Sequence, residues 1–242
     1  MPGNIFFNSL KNWDNKTWLS SSSYIQSFNK FLIKNAKLNR FSKILDIGCG
    51  RGKILGHLLN KLKLKTKPLG IDIEKHKDRD KRINFKKIDA LTFFKQNNET
   101  FDLILIKQTI HLIKKTEIKK LLNFCKIRLN PRGRIIIFIL SPYQNQIPTF
   151  RLMDRMLKAS LKKDERMIKF ISKLFPERII KKFNFDVKIS KKKYSEMIKK
   201  KYISTLLKFS PKEILEGIKE IKFKYKEILK FKDKLKCIII KK

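Results

Sequence analysis

Glycine, proline and cysteine are all scarce in this 242-residue chain, at eight, seven and three residues. So little glycine excludes a collagen-like repeat, and three cysteines, at 49, 125 and 237, do not make a disulfide framework. Long apolar runs are missing too. The longest, Ile135 to Leu140, is far too short to span a bilayer, which excludes a membrane channel. Residues 1–15 lack the basic start and apolar stretch of an export signal, so the expected compartment is a reducing cytoplasm. Acids are the last scarcity: 21 Asp and Glu face 60 Lys and Arg, leaving a formal charge of +39.

Against these absences stand 42% hydrophobic and 33% charged residues, a balance that supports a folded domain and argues against a disordered polycation. A field of this sign attracts phosphates, anionic lipid surfaces or acidic small molecules without choosing among them. The cations are 49 Lys and only 11 Arg, whereas a surface built for bidentate phosphate reading would use more Arg. Residues 1–140 carry +20 and residues 141–242 carry +19, so the shorter part is the denser. The simplest reading is a solvated lysine coat.

From Phe41 onward, short apolar runs alternate with stretches of helical period, the pattern of a parallel sheet with crossover helices. Strands are expected over 44–47, 68–73, 84–88, 101–106 and 134–140. A helix is expected over 53–62, and another over 116–129 with Thr116 as its N-cap. Asn130, Pro131, Arg132 and Gly133 form a turn before the fifth strand. Beyond Ser141 the rhythm changes: helix over 147–182, strand over 183–189, helices over 193–207 and 211–229, and a closing strand over 237–240. Ser210 and Pro211 suit the start of the last helix. Before Phe41, Trp13, Trp18, Tyr24, Phe28, Phe31 and Leu32 read as core rather than as a substrate lid.

Half of all the glycines fall at 48, 50, 52 and 56, where the first strand passes into the first helix. Glycine permits positive φ and close backbone approach, and a helix N-terminus presents unpaired amides. The nicotinamide fingerprint needs a glycine at Lys53, and the phosphate loop needs Ser or Thr at Ile54, so neither fits. The scarce acids are more telling. Asp46 precedes the loop, Asp72 ends the second strand and Asp89 follows the third, all at the carboxyl edge where open α/β sheets bind ligands. Asp102, at the opposite edge, reads as structural.

With these residues, 43–140 resembles the class I S-adenosylmethionine-dependent methyltransferases, in the small-molecule, type 11-like branch. The resemblance implies a Rossmann-like α/β fold: a seven-stranded, mostly parallel sheet with helices on both faces and a helical cap after the fifth strand. The chain then divides into an aromatic segment 1–40, a cofactor-binding core 41–140, and a cap with the last two strands over 141–242. It implies S-adenosylmethionine as cofactor and no metal. Asp46 with the loop of Gly48, Cys49, Gly50 and Gly52 would hold the methionine end. Asp72, followed by Ile73, would accept the ribose hydroxyls, and Asp89 with the Ala90 amide would take the adenine edge. Ile106 and Lys107 would face the sulfonium.

Methyl transfer gains most from holding nucleophile and methyl in contact, so a general base is optional. Candidates are Lys107, Gln108, His111 and Tyr143. Relatives that methylate base amines tend to carry an acid or Asn before Pro-Pro-aromatic after the fourth strand. Here that place reads Lys107-Gln108-Thr109-Ile110, which favours a small-molecule acceptor. Arg151 and Arg155 point to an acidic one. The alternatives are an RNA methyltransferase and a nonenzymatic basic module that binds nucleic acid.

Overall fold

Ile44–Ile47 is buried at all four positions, and a strand buried on both faces requires neighbours on both sides. The computed structural model describes residues 17–242, so Trp13 lies outside the described residues. Its elements in chain order are α1 (Ser22–Ala36), β1 (Ile44–Ile47), α2 (Lys53–Leu62), β2 (Leu69–Asp72), β3 (Asn84–Lys87) and α3 (Ala90–Gln96). They continue with β4 (Phe101–Lys107), α4 (Lys115–Ile127), β5 (Leu129–Leu140), α5 (Arg151–Leu174), β6 (Ile179–Ser190), α6 (Lys191–Lys199), α7 (Pro211–Lys224) and β7 (Ile228–Lys241). The sheet has seven strands in the order β3-β2-β1-β4-β5-β7-β6. Pairings among β1 to β5 are parallel, and β7 lies antiparallel to β5. The expected Rossmann-like α/β sheet is present. Its strand order reverses between β1 and β4, and the carboxyl ends of those strands flank the switch point.

The chain forms two compact units. One comprises 25–140, 167–183 and 235–242, and its core is built from Leu45, Ile47, Ile104, Ile106, Ile135 and Ile137 with side chains of α3, α4 and α5. Within it Phe28 of α1 packs on Phe138 and Phe183, with ring centroids 4.6 and 5.2 Å away. The other unit holds the described residues 17–24 with 141–166 and 184–234. There Trp18 sits among Tyr194, Tyr202 and Phe231 and donates its indole N–H to the buried Asp233 at 3.1 Å. These described aromatics are core, as their helical spacing predicts. Among the described residues no helix is long and apolar enough to cross a membrane.

Several boundaries differ from the sequence reading. α4 starts one residue before Thr116, and its cap position, Lys114, makes no side-chain bond. The expected turn at 130–133 lies within β5 as an irregularity in its pairing with β4, with Arg132 in the left-handed region at φ 67°. α5 stops at Leu174 because Pro176 disfavours helical backbone at Phe175. The helix expected over 193–207 ends at Lys199, and only a short 3-10 turn, Ser204–Lys208, follows. α3, which the sequence reading passed over, is seven residues started by the Asp89 cap, too short for a helical period to show. β7 begins at Ile228 rather than Cys237. Its first half does alternate, but buried Asp233 occupies one inward position and disguises the period.

Candidate active site

β1 delivers Asp46 to the middle of the sheet, where it is 3% exposed. The chain then turns sharply. Gly48, Gly50 and Gly52 take φ of 73°, 54° and 67°, which glycine alone adopts without strain. The turn is tied to β2 by Gly48 and Cys49 N–H groups donating to the Ile71 carbonyl at 2.9 and 3.1 Å. Asp72, at the end of β2, closes the arrangement: one carboxylate oxygen accepts the Gly50 N–H at 2.8 Å and the other the Glu74 N–H at 3.0 Å. α2 starts at Lys53 immediately behind the loop.

The surroundings fix what fits there. A Cβ at Gly48 would lie 2.2 Å from Thr109 Oγ1 and one at Gly52 would lie 2.2 Å from Ile83 Cδ1, whereas one at Gly50 would meet nothing within 4 Å. The glycine loop is therefore packed at two of its positions and open at the third. Asp46 Oδ1 is buried with no hydrogen-bond partner. Burial pushes the Asp46 carboxyl up to about 7; Lys107 opposes that rise and Asp72 adds to it. Lys107 Nζ stands 5.4 Å from the ring centroid of Phe28 and reaches Gln108 Oε1 at 3.4 Å. Gln108 itself has φ 52° and donates its N–H to the Phe138 carbonyl at 2.9 Å.

The other expected residues fall as follows. Cys49 turns its sulfur toward Gly70, where an added Cβ would be 2.6 Å away. Burial, then Asp46 and Asp72, hold its thiol pKa well above the ordinary value. Ile73 is exposed after β2. Asp89 is exposed beyond β3, where it caps α3 by accepting the Thr92 N–H at 2.9 Å, with Ala90 as the first helical residue. Asp46 and Asp72 thus share one field, and Asp89 sits one strand further out. His111 lies exposed in the short helix Ile110–Leu112, its pKa lowered by desolvation from nearby chain. Tyr143, in the other unit, donates its hydroxyl to Glu165 at 2.7 Å. Asp102 is structural, accepting the Lys43 N–H and the Asn130 amide at 2.7 and 3.0 Å.

Sequence reading missed the supports. Arg51, buried inside the glycine loop, pairs with Asp78 at 2.9 Å, and its carbonyl accepts the Asp80 N–H at 2.8 Å. Asp80 in turn lies under Gly56 of α2, paired with Arg82. The segment between β2 and β3 is thereby clipped to the loop. Two acids so close together at 78 and 80 in a chain poor in acids were the available signal. Thr109 left none.

These groups suit a cationic nucleoside. A buried carboxylate oxygen lacks a partner, a second carboxylate ends the adjacent strand, and the loop between them leaves room above Gly50. Residues 45–135 match the family described as a methyltransferase domain. Residues 45–135 are thereby marked as a methyltransferase domain. This methyltransferase shares its fold with a putative methyltransferase from an antibiotic biosynthesis pathway of Anabaena variabilis, at 14% identity and TM-score 0.64 over 88% of this chain and 95% of that one. A methyltransferase of Archaeoglobus fulgidus, described as SAM dependent, matches at 18% and 0.52, covering 90% and 94%. The plantazolicin methyltransferase BpumL, solved with S-adenosylhomocysteine (SAH) and a monoazolic desmethylPZN analog, matches at 18% and 0.52, covering 95% and 87%. Among curated proteins none matches.

Proposed function

We propose that this methyltransferase modifies a small acidic molecule, with the cofactor held at the glycine loop by Asp46, Asp72 and Asp89. The observation that carries the cofactor assignment is the buried, unpartnered Oδ1 of Asp46 beside the open face of Gly50. Asp46 and the loop from Gly48 to Gly52 hold the methionine end, Asp72 and Ile73 the ribose, and Asp89 with Ala90 the adenine edge. Bound S-adenosylmethionine supplies an electrophilic methyl group for a single in-line displacement. Lys107 offsets the charge of Asp46 and keeps that carboxyl from drifting still higher.

An acidic acceptor is supported by charge. Residues 141–242 carry +19, and Arg151 and Arg155 are exposed on α5. A small acceptor is favoured over a nucleic acid because no Arg occurs after Arg178, and lysine alone lacks the planar fork that grips phosphates. No side-chain base is required for an ionised carboxylate acceptor, and exposed His111 serves only where the acceptor must lose a proton. Turnover on a matched panel of small carboxylates, amines and short RNA tests the reading. Carboxylates should be preferred, and Arg151→Ala with Arg155→Ala should raise KM more than it lowers kcat. Equal rates on acids and amines, or preference for RNA, would overturn it.

A further inference from the structure

Phe223, on the last turn of α7, exposes 96% of its surface, the most of any large apolar side chain among the described residues. It stands between Lys222 and Lys224, with Lys226 one residue past Tyr225. The fold brings a second lysine cluster to the same end of the helix. Lys191 donates its Nζ to the carbonyls of Lys222 and Tyr225 at 2.9 and 3.1 Å, and its N–H to the Glu227 carbonyl at 2.7 Å, so exposed Lys192 and Lys193 follow directly.

Two costs coincide there. Lys191, Lys192 and Lys193 form the first turn of α6, where the helix dipole disfavours cations. Lys191 also brings its charge to the end of α7 that carries Lys222, Lys224 and Lys226, where Glu227 lies 3.7 Å from it. An aromatic ring set fully in water adds to the expense. Among the described residues, the Glu227 contact is the acid that offsets part of it. A surface that is anionic outside and apolar just beneath would recover both, because lysines would meet phosphates while the ring entered the acyl boundary. Aliphatic Ile228, 44% exposed just after the helix, would also gain from hydrocarbon. Nucleic acid would reward the ring by base stacking and the lysines by its phosphates, but would leave the neighbouring aliphatic surface in water.

We propose that this end of α7, with the start of α6, docks on the surface of an anionic phospholipid membrane, Phe223 entering the interface. The proposal stands apart from the acceptor assignment, since none of these residues belongs to the cofactor site. It is tested by sedimenting the 242-residue chain with vesicles of phosphatidylcholine, alone or mixed with phosphatidylglycerol, and with a duplex RNA as competitor. Binding should require the anionic lipid and weaken with salt. Phe223→Ser keeps the net charge and sits on the surface, so it should fold normally and bind about tenfold more weakly. Lys192→Glu with Lys193→Glu should lose binding altogether. Phe223→Trp should bind and shift its emission to the blue on adding anionic vesicles. Unchanged binding by Phe223→Ser would mean a diffuse lysine coat and overturn the proposal. So would an unshifted tryptophan, or RNA binding that matches the vesicles in strength and in its dependence on Phe223.

Discussion

The side chain of Thr109, two residues past β4, fills the place where a side chain on Gly48 would begin: Oγ1 and Cγ2 lie 2.2 and 2.4 Å from that point. Two residues 61 apart in sequence thereby set the path of the glycine loop, and Thr109 is held in turn by donating to the Lys107 carbonyl at 3.1 Å. Gly48→Ala meets both this clash and the positive φ, a backbone cost of roughly 1–2 kcal/mol by itself. It should lower the melting temperature and abolish cofactor binding. Adding Thr109→Gly removes the clash but leaves the backbone cost, so stability should return in part and affinity should not. Thermal melts and calorimetry with S-adenosylhomocysteine on both variants distinguish the two contributions.

Asp46 makes the enzyme's stability depend on pH with a definite sign. Its carboxyl lies at about 7 in the folded chain and near 3.8 in the unfolded one. The folded state therefore holds the proton more tightly, and this group's favourable contribution is full below pH 3.8 and is lost as pH rises through 7. At about 1.4 kcal/mol per pKa unit, the penalty above pH 7 is on the order of 4 kcal/mol. Asp46→Asn should accordingly melt higher than the parent at pH 8, with the gap closing toward pH 4. A cationic ligand favours the ionised form, so cofactor affinity of the parent should rise with pH across the same window. That of Asp46→Asn should be weak and flat. A parent whose affinity fell with rising pH would contradict the assignment.

Asp72 serves the loop and, on the proposed assignment, the ribose. Its two oxygens already accept the Gly50 and Glu74 N–H groups. Asp72→Ala leaves both amides without that acceptor, each worth about 1 kcal/mol. Asp72→Asn keeps one acceptor and turns an amino group toward the other. Parent affinity for S-adenosylmethionine should be micromolar, roughly −8 kcal/mol. Asp72→Ala should abolish measurable binding, while Asp72→Asn should retain the fold and lose at least tenfold in affinity, as read by calorimetry alongside far-ultraviolet circular dichroism.

The part of this site legible in the sequence is the part built from local rules. β1, the glycine turn and α2 lie within 44–62, and their boundaries follow from a fully apolar strand, three glycines that must take positive φ, and a helical stripe at 54, 55, 58, 59 and 62. Asp72 was legible because a strand's last residue is set by its own length. Thr109 against Gly48, Lys107 over Phe28 and Arg51 on Asp78 were not, because each joins segments that only the folded sheet brings together. Asp89 was placed at the correct edge, yet its carboxylate also caps α3, a local role its sequence position did not announce.

Ser210 begins α7 with reciprocal bonds: its hydroxyl oxygen accepts the Glu213 N–H at 3.3 Å, and a Glu213 carboxylate oxygen accepts the Ser210 N–H at 2.7 Å. Pro211 at the first helical position has no N–H to satisfy. Ser210→Ala should cost about 1 kcal/mol. That loss belongs to the unit holding α7, whereas the glycine loop belongs to the other. Urea melts should therefore show the destabilisation while the affinity for S-adenosylhomocysteine stays at the parent value. An equal loss in affinity would contradict this expectation.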